Sequence, residues 1–122
     1  MSVHHTELSR KFFEHYFNLA KKIETIDPFY TDDVKGVFSG ELFGGEVHTE
    51  NKTELLNIME KLIPLTPLTN HSFIEQPYND GLTVVTVHAQ SNLFKGIITF
   101  VLEEVEVETH RFGVTRQIVV QN

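Results

Sequence analysis

The chain contains no cysteine and no tryptophan, and only 10 of its 122 residues are lysine or arginine. The absence of cysteine excludes disulfides, thiol nucleophiles and cysteine-based metal sites. The first residues lack the apolar core of a signal peptide, and no stretch reaches the roughly 18 apolar residues of a membrane span. We therefore expect an intracellular protein that does not insert into a membrane.

The shortage of basic residues limits the partners that the chain can have. Its 17 acidic residues outnumber the basic ones and give a formal net charge of −7. Nucleic-acid binding needs a basic face that neutralises phosphates, and only Lys21-Lys22 and the pair Arg111 and Arg116 hint at one. We expect no direct contact with nucleic acid.

The seven histidines do not have the spacing of a metal site. They are scattered over different predicted elements, and no His-x-His or His-x-x-x-His pair occurs. We therefore expect neither a metal nor another cofactor.

The N-terminal region is rich in aromatic residues and predicts a long amphipathic helix from Thr6 to about Lys22. Its apolar positions follow the helical period and are Leu8, Phe12, Phe13, Tyr16, Phe17, Leu19, Ala20 and Ile23. Asp27-Pro28 then predicts a short helical turn, because proline is tolerated at the first position of a helix.

The next segment, Val34–Phe43, predicts a strand or hairpin. Gly36 and Gly40 within it indicate bends or bulges. Gly44-Gly45 indicates a loop, which the following EVHTEN extends.

A second helix follows this loop. Asn51 predicts its N-cap, because Glu54 stands three residues later as in a capping box. Pro64 and Pro67 are expected to end the helix.

The remainder of the chain predicts antiparallel strands. Ile98, Phe100 and Leu102 share one face of a strand, and a bulge near Glu103-Glu104 would reconcile them with valines of opposite parity farther on. The predicted strands are His71–Tyr78, Leu82–Gln90, Ile97–Glu108 and Phe112–Val120. We expect one α+β domain over residues 1–122, in which a curved antiparallel sheet wraps around the long N-terminal helix as a cone.

The order of these elements and several local motifs resemble the nuclear-transport-factor-2-like superfamily over nearly the whole chain. The first matching motifs are FFEHYF, PFYTDDV and VFSG, followed by the helix NKTELLNIMEKLIPL. His71 and Gln76-Pro77 come next, and FKGIITFVL and the final VTRQIVVQN complete the match. The Gln-Pro pair and the TFVL strand are most similar to the eukaryotic transport and mRNA-export branch.

That resemblance implies a non-enzymatic adaptor of nucleocytoplasmic transport, found in the nucleus and the cytoplasm. Domains of this branch form dimers through the sheet and bind Phe-Gly repeats, and the founding member also carries Ran-GDP. In this chain Phe38-Ser39-Gly40 replaces the Trp-Glu-Gly of the founding member. Because Ser39 cannot supply the carboxylate that meets Ran, we do not expect Ran to be bound.

The resemblance also implies particular contact residues. We expect Phe29, Tyr30 and Phe38 to bind phenylalanine side chains of a partner protein. The expected face for a homodimer, or for a heterodimer with a related domain, consists of strand residues Phe73, Gln76, Tyr78, Val85, Val87 and Phe100.

The alternative hypothesis is a small-molecule-binding protein or an enzyme of the ketosteroid isomerase or polyketide-cyclase type, which would use the interior of the cone. Its polar groups would be Tyr16, His88 and Glu41. No carboxylate stands in Val37–Gly40, where the isomerase base would fall, so we favour the non-enzymatic hypothesis. The side chains of adjacent residues diverge in an extended or helical segment. Asp32-Asp33 is therefore predicted to be a solvated turn and not a catalytic dyad.

Overall fold

A computed structural model describes residues 22–65, 68–79, 81–106 and 111–122 of the chain. These residues form a mixed α+β fold with one six-stranded sheet. The helix predicted from Thr6 lies outside the described residues.

The sheet has the strand order β2-β1-β6-β5-β4-β3. The strands are β1 (Tyr30–Gly40), β2 (Gly45–Thr49), β3 (Thr69–Asn79), β4 (Leu82–Gln90), β5 (Lys95–Glu106) and β6 (Arg111–Gln121). Four of the five neighbouring pairs are antiparallel, as predicted. The exception is β1 with β6, which run parallel, so the expectation of a wholly antiparallel sheet was wrong at this pair. A parallel pair requires a long connection, and here every other strand lies between the two partners in sequence.

Strand β2 occupies the segment that was predicted to extend a loop. A 3₁₀ turn, Glu41–Phe43, and Gly44 at φ 78° reverse the chain so that β2 returns along β1. Val47 then lies opposite Phe38, and Thr49 lies opposite Gly36.

Two helices belong to the described part. Helix α1 (Ile23–Ile26) leads into a 3₁₀ turn, Asp27–Phe29, which confirms the turn predicted at Asp27-Pro28. Helix α2 (Lys52–Met59) ends before the predicted stop at Pro64, which lies in a separate 3₁₀ turn, Ile63–Leu65. Neither helix is both long and apolar enough to cross a membrane.

The N-terminus of α2 is capped as predicted. The Asn51 side chain accepts a hydrogen bond of 3.0 Å from the Glu54 amide, and the Glu54 carboxylate accepts one of 2.8 Å from the Glu50 amide. Lys52 joins α2 to the 3₁₀ turn before β1 through an ion pair with Asp27, with 3.0 Å between Nζ and Oδ1.

The hydrophobic core lies between these helices and one face of the sheet, which we call the inner face. The fully buried side chains include Ile26, Val34, Phe38, Leu55, Met59, Leu62, Val85, Val87, Ile98, Phe100, Val114 and Val119. They alternate with more exposed residues along the strands, as one buried sheet face requires.

Gly36 marks a close approach rather than a bulge, because its pairing with both neighbouring strands is regular. A Cβ atom there would lie 2.5 Å from Thr49 Oγ1 and 3.0 Å from Leu55 Cδ1. The missing side chain therefore lets β2 and α2 pack closely over β1.

The predicted irregularity of β5 is confirmed. Its pairing with β6 shifts between Val101 and Leu102 and again between Glu104 and Glu106. After the bend Val105 is 44% exposed, whereas Leu102 is buried.

The Asn51 cap supplies a first prediction. Asn51→Ala should lower the free energy of unfolding by about 1 kcal/mol, because the Glu54 amide loses its acceptor. Urea unfolding of both variants measures the change, and the control is Asn57→Ala at an exposed position of α2. Equal stability of Asn51→Ala and the wild type would contradict this assignment.

Thr49 supplies a second prediction, because its buried hydroxyl has no hydrogen-bond partner among the described residues. Thr49→Val should leave the stability unchanged or raise it by about 1 kcal/mol, since an unsatisfied polar group is removed at constant shape. Thr49→Ser keeps the hydroxyl and loses the packed methyl, so it should be destabilising by about 1 kcal/mol. Thermal unfolding of both variants tests the opposite signs, and a destabilised Thr49→Val would refute the argument.

Candidate functional site

A short polar network crosses the largely apolar interior. The Tyr30 hydroxyl on β1 donates a hydrogen bond to Gln117 Oε1 on β6. Gln117 in turn donates from Nε2 to the sulfur of Met59 on α2, at 3.1 Å. Tyr30 is 3% exposed, and Gln117 and Met59 are fully buried.

The electrostatics of this network do not suit acid–base catalysis. Burial raises the pKa of the Tyr30 hydroxyl above its ordinary value. The hydroxyl therefore stays protonated at physiological pH, and its proton is held by the Gln117 amide oxygen. The network fixes the packing of β1, β6 and α2 on one another.

The three residues of the enzyme hypothesis are not brought together. Tyr16 lies outside the described residues. His88 is exposed on β4, and Glu41 is exposed in the 3₁₀ turn after β1. Strands β5 and β6 separate β4 from β1, which puts these two side chains roughly 14 Å apart at about 4.8 Å per strand.

The residues proposed to bind a partner's phenylalanines, Phe29, Tyr30 and Phe38, are largely buried. Phe38 is 0% exposed, and Phe29 is only partly exposed. The Phe38 ring packs against Phe43 with 5.3 Å between ring centroids. Phe38 faces inward because it shares the parity of Val34 and Gly36, which form the buried row of β1.

The expected dimer face is divided between the two sides of the sheet. Val85, Val87 and Phe100 are at most 1% exposed on the inner face, so they cannot contact a partner. Phe73 lies opposite Val87 on that same face. Gln76 and Tyr78 are exposed, and Tyr78 reaches 65%.

The opposite, outer face of the sheet carries the accessible apolar surface. Ile74 is 47% exposed, Ile118 36% and Val120 39%. The same surface continues over the partly exposed Val37, Val84 and Ile97. We call this set, with the paired Thr86 and Thr99 between its members, the outer patch.

The parity of the strands could not be assigned from the sequence. The segment VVTV of β4 and the segment IITFV of β5 are apolar or β-branched at both parities, so alternation alone does not tell which side is buried. Gln117 stands between Arg116 and Ile118 in the sequence, so its pattern fits an exposed position as well as a buried one.

The two adjacent aspartates diverge, as predicted, although they lie in a strand and not in a turn. Asp32 lies 3.8 Å from Lys52 Nζ. Asp33 lines a depression on the opposite side, together with Lys35 and Arg116.

A larger cavity of about 580 Å³ lies where α1 begins, next to the segment after α2. It is lined by Lys22, Ile23, Glu24, Glu60, Ile63 and Pro64. Neither Tyr30 nor His88 borders it, so it does not combine with the polar groups considered above.

Comparison with known proteins adds evidence on the fold. No family model matches the chain, and no curated protein matches its sequence. A nuclear-transport-factor-2-like protein of unknown function from Methylobacillus flagellatus is similar in structure, with a TM-score of 0.74, 8% identity and coverage of 99% of this chain and 92% of that one.

Two further solved structures, one from yeast and one from Parabacteroides distasonis, have a similar backbone. The yeast UBP3-associated protein BRE5 has a TM-score of 0.71 at 12% identity, over 96% of this chain and 92% of its own. A candidate ketosteroid isomerase from Parabacteroides distasonis has a TM-score of 0.68 at 12% identity, over 96% and 84%. At such low identities, the structural similarity shows a shared fold and gives no information about activity. The chain therefore has the nuclear-transport-factor-2-like, or cystatin-like, fold.

Proposed function

We propose that the domain is a non-enzymatic adaptor for partner proteins and that it forms a dimer through the outer patch. The observation that carries the proposal is the exposure of Ile74, Ile118 and Val120 on one sheet face. Contiguous exposed apolar surface is typical of protein-interaction sites. A second copy or a related domain is the expected occupant, because a sheet face can be self-complementary under two-fold symmetry.

The polar groups support binding over catalysis. The Tyr30 hydroxyl is held by Gln117 in the core, and its pKa is raised away from the range of a general base. Within the described ranges, no three histidine, aspartate or glutamate side chains converge as they would at a metal centre. His88 lies on β4 and Glu41 lies in the 3₁₀ turn after β1, so the two side chains do not form a pair.

The narrower form of the proposal is an adaptor of nucleocytoplasmic transport that binds Phe-Gly motifs and works in the nucleus and the cytoplasm. It rests on the sequence resemblance. With Tyr30 and Phe38 buried, the aromatic contacts would fall to Phe29 and to exposed Tyr78. Ser39 lies beside Val120 in the register of β1 and β6 and offers no carboxylate for Ran.

The dimer is tested by a charge placed in the outer patch. Ile118→Lys should convert a wild-type dimer into a monomer, because an ammonium group would be buried without a partner. The matched control is Leu93→Lys, at a 72% exposed leucine between β4 and β5 and outside the patch. Sedimentation velocity gives the mass of each species. A monomeric wild type, or a dimeric Ile118→Lys, would count against the outer patch as the dimer interface.

Phe-Gly recognition is tested separately by amide NMR titration of the wild type with a Phe-Gly repeat peptide. We expect saturable shifts that are absent with a Phe→Ser peptide, because weak apolar contacts depend on the phenyl ring. Tyr78→Ser should reduce the shifts if Tyr78 contributes. A well-dispersed spectrum without shifts would exclude Phe-Gly recognition by this domain and leave the dimer test unaffected.

The second candidate is a small-molecule-binding domain that uses the interior, and the observation that favours it is the buried Tyr30–Gln117 pair. Under the adaptor proposal that pair is only structural. Tyr30→Phe should then cost about 1–3 kcal/mol of stability, because Gln117 loses a buried partner. The double variant Tyr30→Phe/Gln117→Leu should cost less than the sum of the single changes. Loss of a bound compound in Tyr30→Phe, at unchanged stability, would favour the second candidate.

A further inference from the structure

One of the irregular places in the sheet lies at the rim of the outer patch. The parallel pairing of β1 with β6 is interrupted between Tyr30 and Lys35, so the intervening residues of β1 have no partner in β6. The pairing of β6 with β5 breaks at the same level, where Thr115 is an extra residue between Val114 and Arg116. Two neighbouring ladders therefore open together.

A depression of about 240 Å³ lies at this place, and we call it the rim site. It is lined by Asp33, Lys35, Val101, Glu103, Thr115 and Arg116. At about 30 Å³ for each water molecule, its volume corresponds to roughly eight waters. It therefore has room for a small metabolite, which would lie against the side chain of Val101.

The basic side chains of the rim site differ in what they contact. Lys35 Nζ donates to the Glu50 carbonyl at 2.9 Å and lies 3.4 Å from the Glu50 carboxylate, which directs it toward β2. Arg116 stands between Lys35 and Val101 in the register of the sheet. In the part of the chain that the structure describes, Arg116 forms no ion pair.

The acidic side chains of the rim site are also unpaired. Asp33 and Glu103 border the same depression as Arg116, yet neither carboxylate comes within 4.0 Å of a cation among the described residues. Because these opposite charges border one depression without forming an ion pair, a ligand that carries both a positive and a negative charge can bind between them. A ligand of one sign would meet repulsion from one half of the site.

We propose that the rim site binds a free α-amino acid. The ligand carboxylate would lie against the Arg116 guanidinium, whose planar fork can donate two parallel hydrogen bonds to it. The ligand ammonium would lie between the carboxylates of Asp33 and Glu103, and an aliphatic side chain would contact Val101. This binding does not depend on the adaptor function and needs no dimer.

The probes are glycine and L-leucine, titrated into the labelled full chain and followed by amide NMR. N-acetylglycine lacks the ammonium, and glycinamide lacks the carboxylate. We expect saturable shifts at the amides of Val101, Glu103 and Arg116 with the two amino acids only. The dissociation constant should be on the order of 1 mM, because the few charge-assisted contacts are solvent-exposed.

Arg116→Gln should weaken binding of L-leucine by about tenfold or more, since a charged donor is replaced by a neutral one. The matched control is Lys95→Gln, which removes one positive charge from an exposed position at the far end of β5. Its affinity should stay within about twofold of the wild type, because exposed charges at that distance are screened.

Three results would overturn the proposal. They are an absence of saturable shifts in the wild type at tens of millimolar glycine and L-leucine, equal binding of N-acetylglycine, and an Arg116→Gln variant that binds L-leucine as the wild type does. Equal binding of N-acetylglycine would reveal a simple anion site. Because Arg116 is exposed, its replacement should keep the fold, and a dispersed amide spectrum of the variant verifies this.

Discussion

The parallel ladder between β1 and β6 is the contact on which the rest of the fold depends. It joins a unit made of β1, β2 and α2 to a meander made of β3 to β6. The Tyr30–Gln117 hydrogen bond crosses this ladder inside the core, and Gln117 extends it to Met59 on α2. An unpaired Gln117 amide in the core would be costly. The network therefore favours the observed register of β1 against β6 over shifted registers.

The same ladder determines what each face of the sheet can do. Its regular part, from Lys35 to Ser39, places Val37 beside Ile118 and so keeps the outer patch continuous across the two units. Its interrupted part, before Lys35, opens the rim site. A hydrophobic surface and a charged depression thus lie side by side, and one irregularity separates them.

Local patterns predicted much of the fold. The Asn51 cap, the turn at Asp27-Pro28 and the bend of β5 depend on neighbouring residues, and each is found. The five residues of β2 were predicted as a loop, because glycine and glutamate have a low propensity for strands. This short strand is stabilised by its pairing with β1 and not by its own propensity. The parallel register of β1 and β6 has no local signal at all.

The side chains of the candidate site were less predictable, because their positions also depend on which strands pair with each other. Phe38 is a large aromatic residue beside a glycine, and only the pairing of β1 shows that it faces the core. In the central segments of β4 and β5 both parities carry apolar or β-branched residues, so alternation there does not distinguish the inner face from the outer one. The partner of Gln117 could be identified only once β1 lay next to β6.

The position of β6 in the chain has a consequence for biosynthesis. Tyr30 and Gln117 are 87 residues apart, so a ribosome that adds about 5–20 residues per second makes Gln117 roughly 4–17 seconds after Tyr30. During that interval one edge of β1 has no strand to pair with, and its apolar row is covered only by what has already emerged. The nascent chain should therefore be a good client for chaperones that shield unpaired strands until translation brings out the final one.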